Sequence, residues 1–291
     1  MKILNANYQV IFSNNEKNIF SLGNTIKKFS FINKMTELFE ISQLKNPSEF
    51  ILSDDEKIIA SLNTEGHISV FNANTGELIA NTKALSQEGY GIYFTSNNRV
   101  ITSTWEGNII IFNFNLNIFD IINIPDAICG KLMPTKDKSV FLLFYNDSDK
   151  NNSLKIKEID INKNTVKDIF SNLSITIEVK TLFCQNDNYY FSGSLNTLND
   201  IICKFDYRKK QLLNILEIPL NIQEKSVVNC ISVNKNETVL AIGYGNLYLY
   251  NLATGELLKE IETSYISCCT FFDSDKQLYI GTWECGFSIT V

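Results

Sequence analysis

Proline is scarce in this chain, four residues in 291, and histidine occurs once, as His67. So little proline excludes a proline-rich stalk or linker. With 44% apolar residues, the profile is that of an ordered globular chain. One histidine leaves little room for imidazole chemistry. Cys–His catalysis needs a cysteine beside His67, which lies in "EGHISVF" at the start of a strand-like run with no motif around it. The seven cysteines, at 129, 184, 203, 230, 268, 269 and 285, contain no C-x-x-C pair and are odd in number. That argues against a zinc site and against a disulfide framework. Most of them sit in apolar runs such as "ISCCTFF", where a free cysteine acts as a small buried hydrophobe.

Long apolar runs are also missing, so no transmembrane helix is expected. The opening "MKILNANYQV" has one charge and no sustained apolar stretch, so no secretory leader is expected and the cytoplasm is the default compartment. The 26 basic residues against 32 acidic ones give a formal charge of −6, the wrong balance for a surface that tracks phosphates. Nucleic-acid and membrane partners are therefore not expected. The densest basic run, Arg208-Lys209-Lys210, reads as a solvated turn. No phosphate-cradling loop is found: "AIGYGN" has two glycines in a tight turn, but it leads into a strand rather than a helix. No metal or cofactor is expected.

What the chain does have is aromatic and β-branched residues, 20 Phe and 12 Tyr among them, which favour strands. It also has an internal repeat. "VFNANTGELIA" (70–80) and "LYNLATGELLK" (249–259) are the same unit, with weaker copies in "SFINKMTELFEI", "IFNFNLNIFDII", "EIDINKNTVKDIF" and "KFDYRKKQLLNIL". Aligned on their Asn or Asp, these fall at 33, 72, 113, 160, 206 and 251, at intervals of 39 to 47 residues. A second marker recurs in phase: an apolar residue, a polar turn, then an alternating strand, as in "LSDDEKIIASL", "VNKNETVLAIG" and "FDSDKQLYIGT". It occurs seven times. Asx side chains suit such turns because they bond the backbone two residues on. Short strands at even spacing with a period near forty indicate a β-propeller of seven four-stranded antiparallel blades, one all-β domain over 1–291. A sandwich or two smaller domains would leave the phase of the repeat unexplained.

These units resemble WD-repeat propeller blades along essentially the whole chain. The family's Trp-Asp pair corresponds to Phe71-Asn72, Phe112-Asn113, Phe205-Asp206, Tyr250-Asn251, Ile32-Asn33 and Ile159-Asp160, and its Gly-His pair is missing from every blade. The resemblance implies a protein-binding scaffold rather than an enzyme.

The terminal "GTWECGFSITV" matches "STWEGNIIIFN" (103–113), so the last blade ends as its third strand ends. Its outermost strand is expected from the N-terminus, as a clasp of about four residues from "MKIL", with Asn5-Ala6-Asn7 crossing to the first blade. Blade topology then gathers the turns after second strands, and the inter-blade residues Tyr90 and Tyr265, on one aromatic and acidic face. The candidate binding residues there are Trp105, Glu106, Trp283, Glu284, Tyr244 and Glu65, with Asp147 and Asp149 nearby. Two readings stand: each Trp packs over its own hairpin, or the face binds another protein, with acidity steering a basic one. A chain that is a monomer on its own would suit either a scaffold or an immunity-type inhibitor of a basic toxin. A propeller hydrolase with a metal on one face is the competing class.

Overall fold

The computed structural model describes residues 2–5, 8–31, 35–84, 86–147, 153–178, 181–195, 199–218, 228–263 and 265–291. Ile32-Asn33, the crossing residues Ala6 and Asn7, and Asp149 lie outside the described residues. The chain opens with β1 (Lys2–Asn5). Blade one follows as β2 (Gln9–Phe12), β3 (Asn18–Leu22), β4 (Ile26–Ser30) and β5 (Thr36–Ile41). Blade two is β6 (Pro47–Leu52), β7 (Ile58–Asn63), β8 (His67–Asn72) and β9 (Leu78–Lys83). Blade three is β10 (Gly89–Phe94), β11 (Val100–Thr104), β12 (Asn108–Asn113) and β13 (Ile118–Asn123). Blade four is β14 (Lys131–Pro134), β15 (Val140–Asp147), β16 (Ser153–Asp160) and β17 (Thr165–Asn172); the short β18 (Ile175–Ile177) lies outside that sheet, and its Ile177 bonds both amide atoms of Asn146. Blade five contains β19 (Phe183–Gln185), β20 (Asn188–Leu195), β21 (Asn199–Asp206) and β22 (Gln211–Glu217). Blade six is β23 (Cys230–Val233), β24 (Val239–Tyr244), β25 (Asn246–Asn251) and β26 (Leu257–Ile261). Blade seven is β27 (Ile266–Phe272), β28 (Gln277–Thr282) and β29 (Cys285–Thr290), and β1 supplies its fourth strand.

The fold is thus an all-β, seven-bladed propeller of antiparallel four-stranded blades, with the N-terminal strand completing the last. By compactness the chain divides into Met1–Leu38 with Lys180–Val291, and Phe39–Val179. In each unit the apolar clusters lie between consecutive blades. In the second, Leu62, Ile68 and Val70 of blade two pack with Ile92, Val100, Ile110 and Phe112 of blade three. In the first, Tyr190 and Ile202 of blade five pack with Ile231, Leu240, Ile242 and Tyr248 of blade six. Phe12 of blade one stacks on Phe272 of blade seven, centroids 4.5 Å apart. Middle strands are covered on both faces: β12 and β25 read as apolar runs between terminal asparagines (NIIIFN, NLYLYN), and β11 (VITST) is buried throughout, whereas the outer β9, β13 and β26 are largely exposed.

Two turns recur, each with a local cause. At the end of the third strand an Asx oxygen accepts the amides two and three residues on: Asn72 from Asn74 and Thr75 (2.8 and 3.1 Å), and Asn251 from Ala253 and Thr254 (2.9 and 3.1 Å). Asp160 and Asp206 do the same. In the hairpin joining the first two strands, Ser53 Oγ donates to Asp55 (2.7 Å) and accepts from the Ile58 amide (3.0 Å). Ser13 and Thr95 repeat this pattern. The residue three places on is left-handed: Glu16 (φ 56), Glu56 (φ 58), Asn98 (φ 57), Lys138 (φ 55) and Glu237 (φ 53). Ser53→Ala is expected to cost about 1 kcal/mol, the net worth of these hydrogen bonds, and to lower Tm by about 2–4 °C in a calorimetric scan.

The left-handed residue also reaches the preceding blade. Glu16 Oε1 accepts the Asp273 amide (2.9 Å), and the Lys138 carbonyl accepts the Ser96 amide (3.0 Å). Glu237 does most. It accepts from Tyr190 Oη (2.6 Å), Asn188 Nδ2 (2.8 Å), Asn186 Nδ2 (3.1 Å) and Lys204 Nζ (3.0 Å), all on blade five.

Candidate functional site

In the second unit, Trp105 sits in the turn "TWEGN" between β11 and β12. The turn is tight because Gly107 takes φ +83, and a Cβ there would lie 2.3 Å from the Ile124 carbonyl oxygen. That carbonyl's own amide donates to the Gly107 oxygen at 2.9 Å, and the Cys129 amide donates to the Trp105 oxygen at 3.0 Å. The Asn108 amide bonds Thr104 Oγ1 at 3.1 Å. With the backbone held in this way, the Trp105 ring lies against Tyr90 at the start of β10, centroids 5.8 Å apart and planes tilted by 35°. Trp105 remains 42% exposed. Beside it, Glu106 accepts a hydrogen bond from Ser86 Oγ, and this contact holds its carboxyl below the usual range.

The first unit repeats the arrangement. Trp283 lies against Tyr265, centroids 6.0 Å apart and tilted by 32°, and its amide donates to the Tyr265 carbonyl at 3.3 Å. Thr282 Oγ1 accepts the amides of Glu284 (3.2 Å) and Cys285 (3.0 Å). Here the rings stand well out into solvent, Trp283 at 63% and Tyr265 at 73% exposure. The hairpin is one residue tighter than its counterpart: Gly281 pairs with Gly286, whereas Ser103 pairs with Ile109. Cys285 therefore enters the strand where Gly107 occupies the turn.

The remaining sequence-derived candidates fall elsewhere. Glu65 is exposed in the turn between β7 and β8, where its amide bonds Asn63 Oδ1 at 3.1 Å. Tyr244 corrects the expectation of an exposed ring: it is 1% exposed, part of the apolar cluster between blades five and six, and its phenol donates to Asp200 at 3.0 Å. Its position at the end of a strand inside an apolar run explains the burial. Asp147 is also buried, paired with Lys155 at 2.6 Å. His67 meets Asn81 across the β8–β9 pair, at 3.2 Å from Nδ1. Sequence reasoning missed Ser86 and Asp200, and no spacing rule marks either. The shared Thr-Trp-Glu triplet, by contrast, marks both hairpins. Among the described residues no group of three or more His, Cys, Asp or Glu is placed to hold a metal, and no helix is long and apolar enough to cross a membrane.

The fold is a seven-bladed β-propeller built from degenerate repeats. The solved structures it resembles agree. The chain is similar to Kuenenia stuttgartiensis hydrazine synthase, with a TM-score of 0.81 at 10% identity over 99% of this chain and 96% of that one. It is also similar to the β-propeller domain of Myceliophteria thermophila Cps50 (Swd1), with a TM-score of 0.77 at 12% identity over 98% and 97%. No protein-family model matches the chain, and no curated protein matches it.

Proposed function

We propose that this propeller is a non-enzymatic protein-binding module, and that its Trp-Glu hairpins are contact points for a basic partner. The observation that carries the reading is the repeated Tyr–Trp pair. In both units a large aromatic surface is kept partly in water while hydrogen bonds fix the turn beneath it, each with a carboxylate next in sequence. Trp and Tyr held in place before contact lose little entropy on binding, and this is why they dominate interface hot spots. The formal charge of −6 favours encounter with a cationic surface, and the rim carboxylates act mainly on the association rate. Free thiols at all seven cysteines support a reducing compartment.

The test is capture of the natural partner from the source cell by wild type, Trp105→Ala, Trp283→Ala and the double variant. Both side chains are exposed, so Tm is expected to stay within about 1 °C of wild type. Each single change is expected to weaken capture about tenfold or more, and the double change to abolish it. Undiminished capture by the folded double variant would remove these hairpins from the reading. Stoichiometric metal in the purified protein, with hydrolase activity, would replace it with an enzyme.

A further inference from the structure

A propeller leaves the outermost strand of every blade without a partner on one side, and such edges attract other chains unless something discourages pairing. Here the usual discouragement is a slip in register, which bends and twists the edge. The β8–β9 ladder slips between Val70 and Phe71, β16–β17 between Ile156 and Lys157, β21–β22 between Ile202 and Cys203, and β25–β26 between Leu249 and Tyr250. The clasp β1–β29 slips as well. Among the outer strands whose register is described, β13 alone has none: its pairing runs unbroken from Asn108↔Asn123 to Asn113↔Ile118.

This regular edge is also markedly apolar on its solvent side. Ile118 is 57% exposed, Phe119 40% and Ile121 57%, with Leu116 at 65% in the turn before them. The strand "IFDIIN" has one charge, Asp120, whose side chain is 75% exposed, and it has no lysine. Asp120 is ion-paired with Arg99 at 3.5 Å, and its largely exposed carboxylate has room to accept a second cation.

We propose that β13 is a docking edge that accepts an extended, basic segment of another protein as a fifth strand of blade three. The unslipped ladder supplies a straight row of main-chain donors and acceptors. Phe119 and Ile121, two residues apart and so on one face, offer places for alternate apolar side chains, while Asp120 on the other face selects a lysine or arginine opposite it. A second copy of this chain fits the same edge poorly. It would bring another Asp120 and another formal charge of −6 to a strand with no cation of its own. The surface is separate from the Trp-Glu hairpins and does not depend on them.

The probe is a fluorescein-labelled synthetic decapeptide that alternates isoleucine and threonine around one central lysine, titrated with the full chain and read by anisotropy. Saturable binding is expected. Hydrogen exchange is expected to show new protection at 118–123, and not at β9, β22 or β26. Ile121→Lys is expected to weaken binding about tenfold or more, since a lysine on an edge blocks pairing. Asp120→Asn should weaken it several-fold, and a peptide methylated on alternate backbone nitrogens should fail to bind. Trp105→Ala with Trp283→Ala should leave it unchanged. Ile121→Thr, a milder change, serves if the lysine variant misfolds. Four results would overturn the proposal: no binding by wild type, equal binding by folded Ile121→Lys or Ile121→Thr, protection on another edge, or a wild-type dimer in sedimentation equilibrium that Ile121→Lys abolishes.

Discussion

Removal of residues 1–5 is expected to lower the melting temperature by about 5–15 °C and to leave a protein that associates more readily than wild type. The reason lies in the ladder. Lys2 pairs with Phe287, Leu4 with Gly286 and Asn5 with Cys285, and β29 has no other neighbour on that side in the sheet order β1-β29-β28-β27. Four residues of strand contribute hydrogen bonds worth about 1 kcal/mol net apiece, or roughly 3–4 kcal/mol in all. At about 2–4 °C per kcal/mol for a chain of this size, the expected drop follows. The clasp also joins blade seven to blade one through the chain itself, because β2 begins at Gln9. Losing it bares the edge of β29, a strand with partly buried Phe287 and Ile289, and light scattering should detect the resulting association. A truncated protein with unchanged Tm would show that β1 adds nothing.

How much of this was legible in the sequence depended on the range of the interaction. The Asx turns at Asn72, Asp160, Asp206 and Asn251 are local events, set by a side chain and amides two and three residues on, so repetition exposed them and gave the blade count. The clasp was legible because "GTWECGFSITV" aligned with a segment whose next strand was present. The Trp-Glu hairpins were marked for the same reason. The burial of Tyr244 was hidden: "AIGYGN" looks like an exposed turn, yet the ring packs between two blades and its hydroxyl finds Asp200, 44 residues away in sequence. Glu106 meeting Ser86 is equally non-local. The middle strands also obscured their own register, since burial on both faces removes the alternation that would reveal it. Least legible of all was the polar network between blades five and six.

Glu237 is the centre of that network. Its carboxylate has a side chain 18% exposed and receives Tyr190, Asn188, Asn186 and Lys204 from the neighbouring blade. Burial pushes this carboxyl up. The hydrogen bonds from Tyr190, Asn186, Lys204 and Asn188 outweigh burial and hold it below the usual carboxylate range. Glu237→Ala strands a partly buried ammonium and a phenol that burial and Glu237 together push far above its normal value. Hydrogen bonds to charged groups, and the cost of unpairing a charge at this depth, put the loss at about 2–4 kcal/mol, or roughly 5–15 °C in Tm. Glu237→Gln keeps the shape and some of the bonding but loses the charge, so it should fall between the two. It also isolates the electrostatic part through pH. Because folding lowers this carboxyl's pKa, its contribution is complete above the unfolded value of about 4.3 and fades as pH falls through the folded value. The Tm gap between wild type and Glu237→Gln should therefore be full at pH 7 and shrink steadily towards pH 3. A gap that stays constant across that range would mean the carboxylate's charge does not hold blades five and six together.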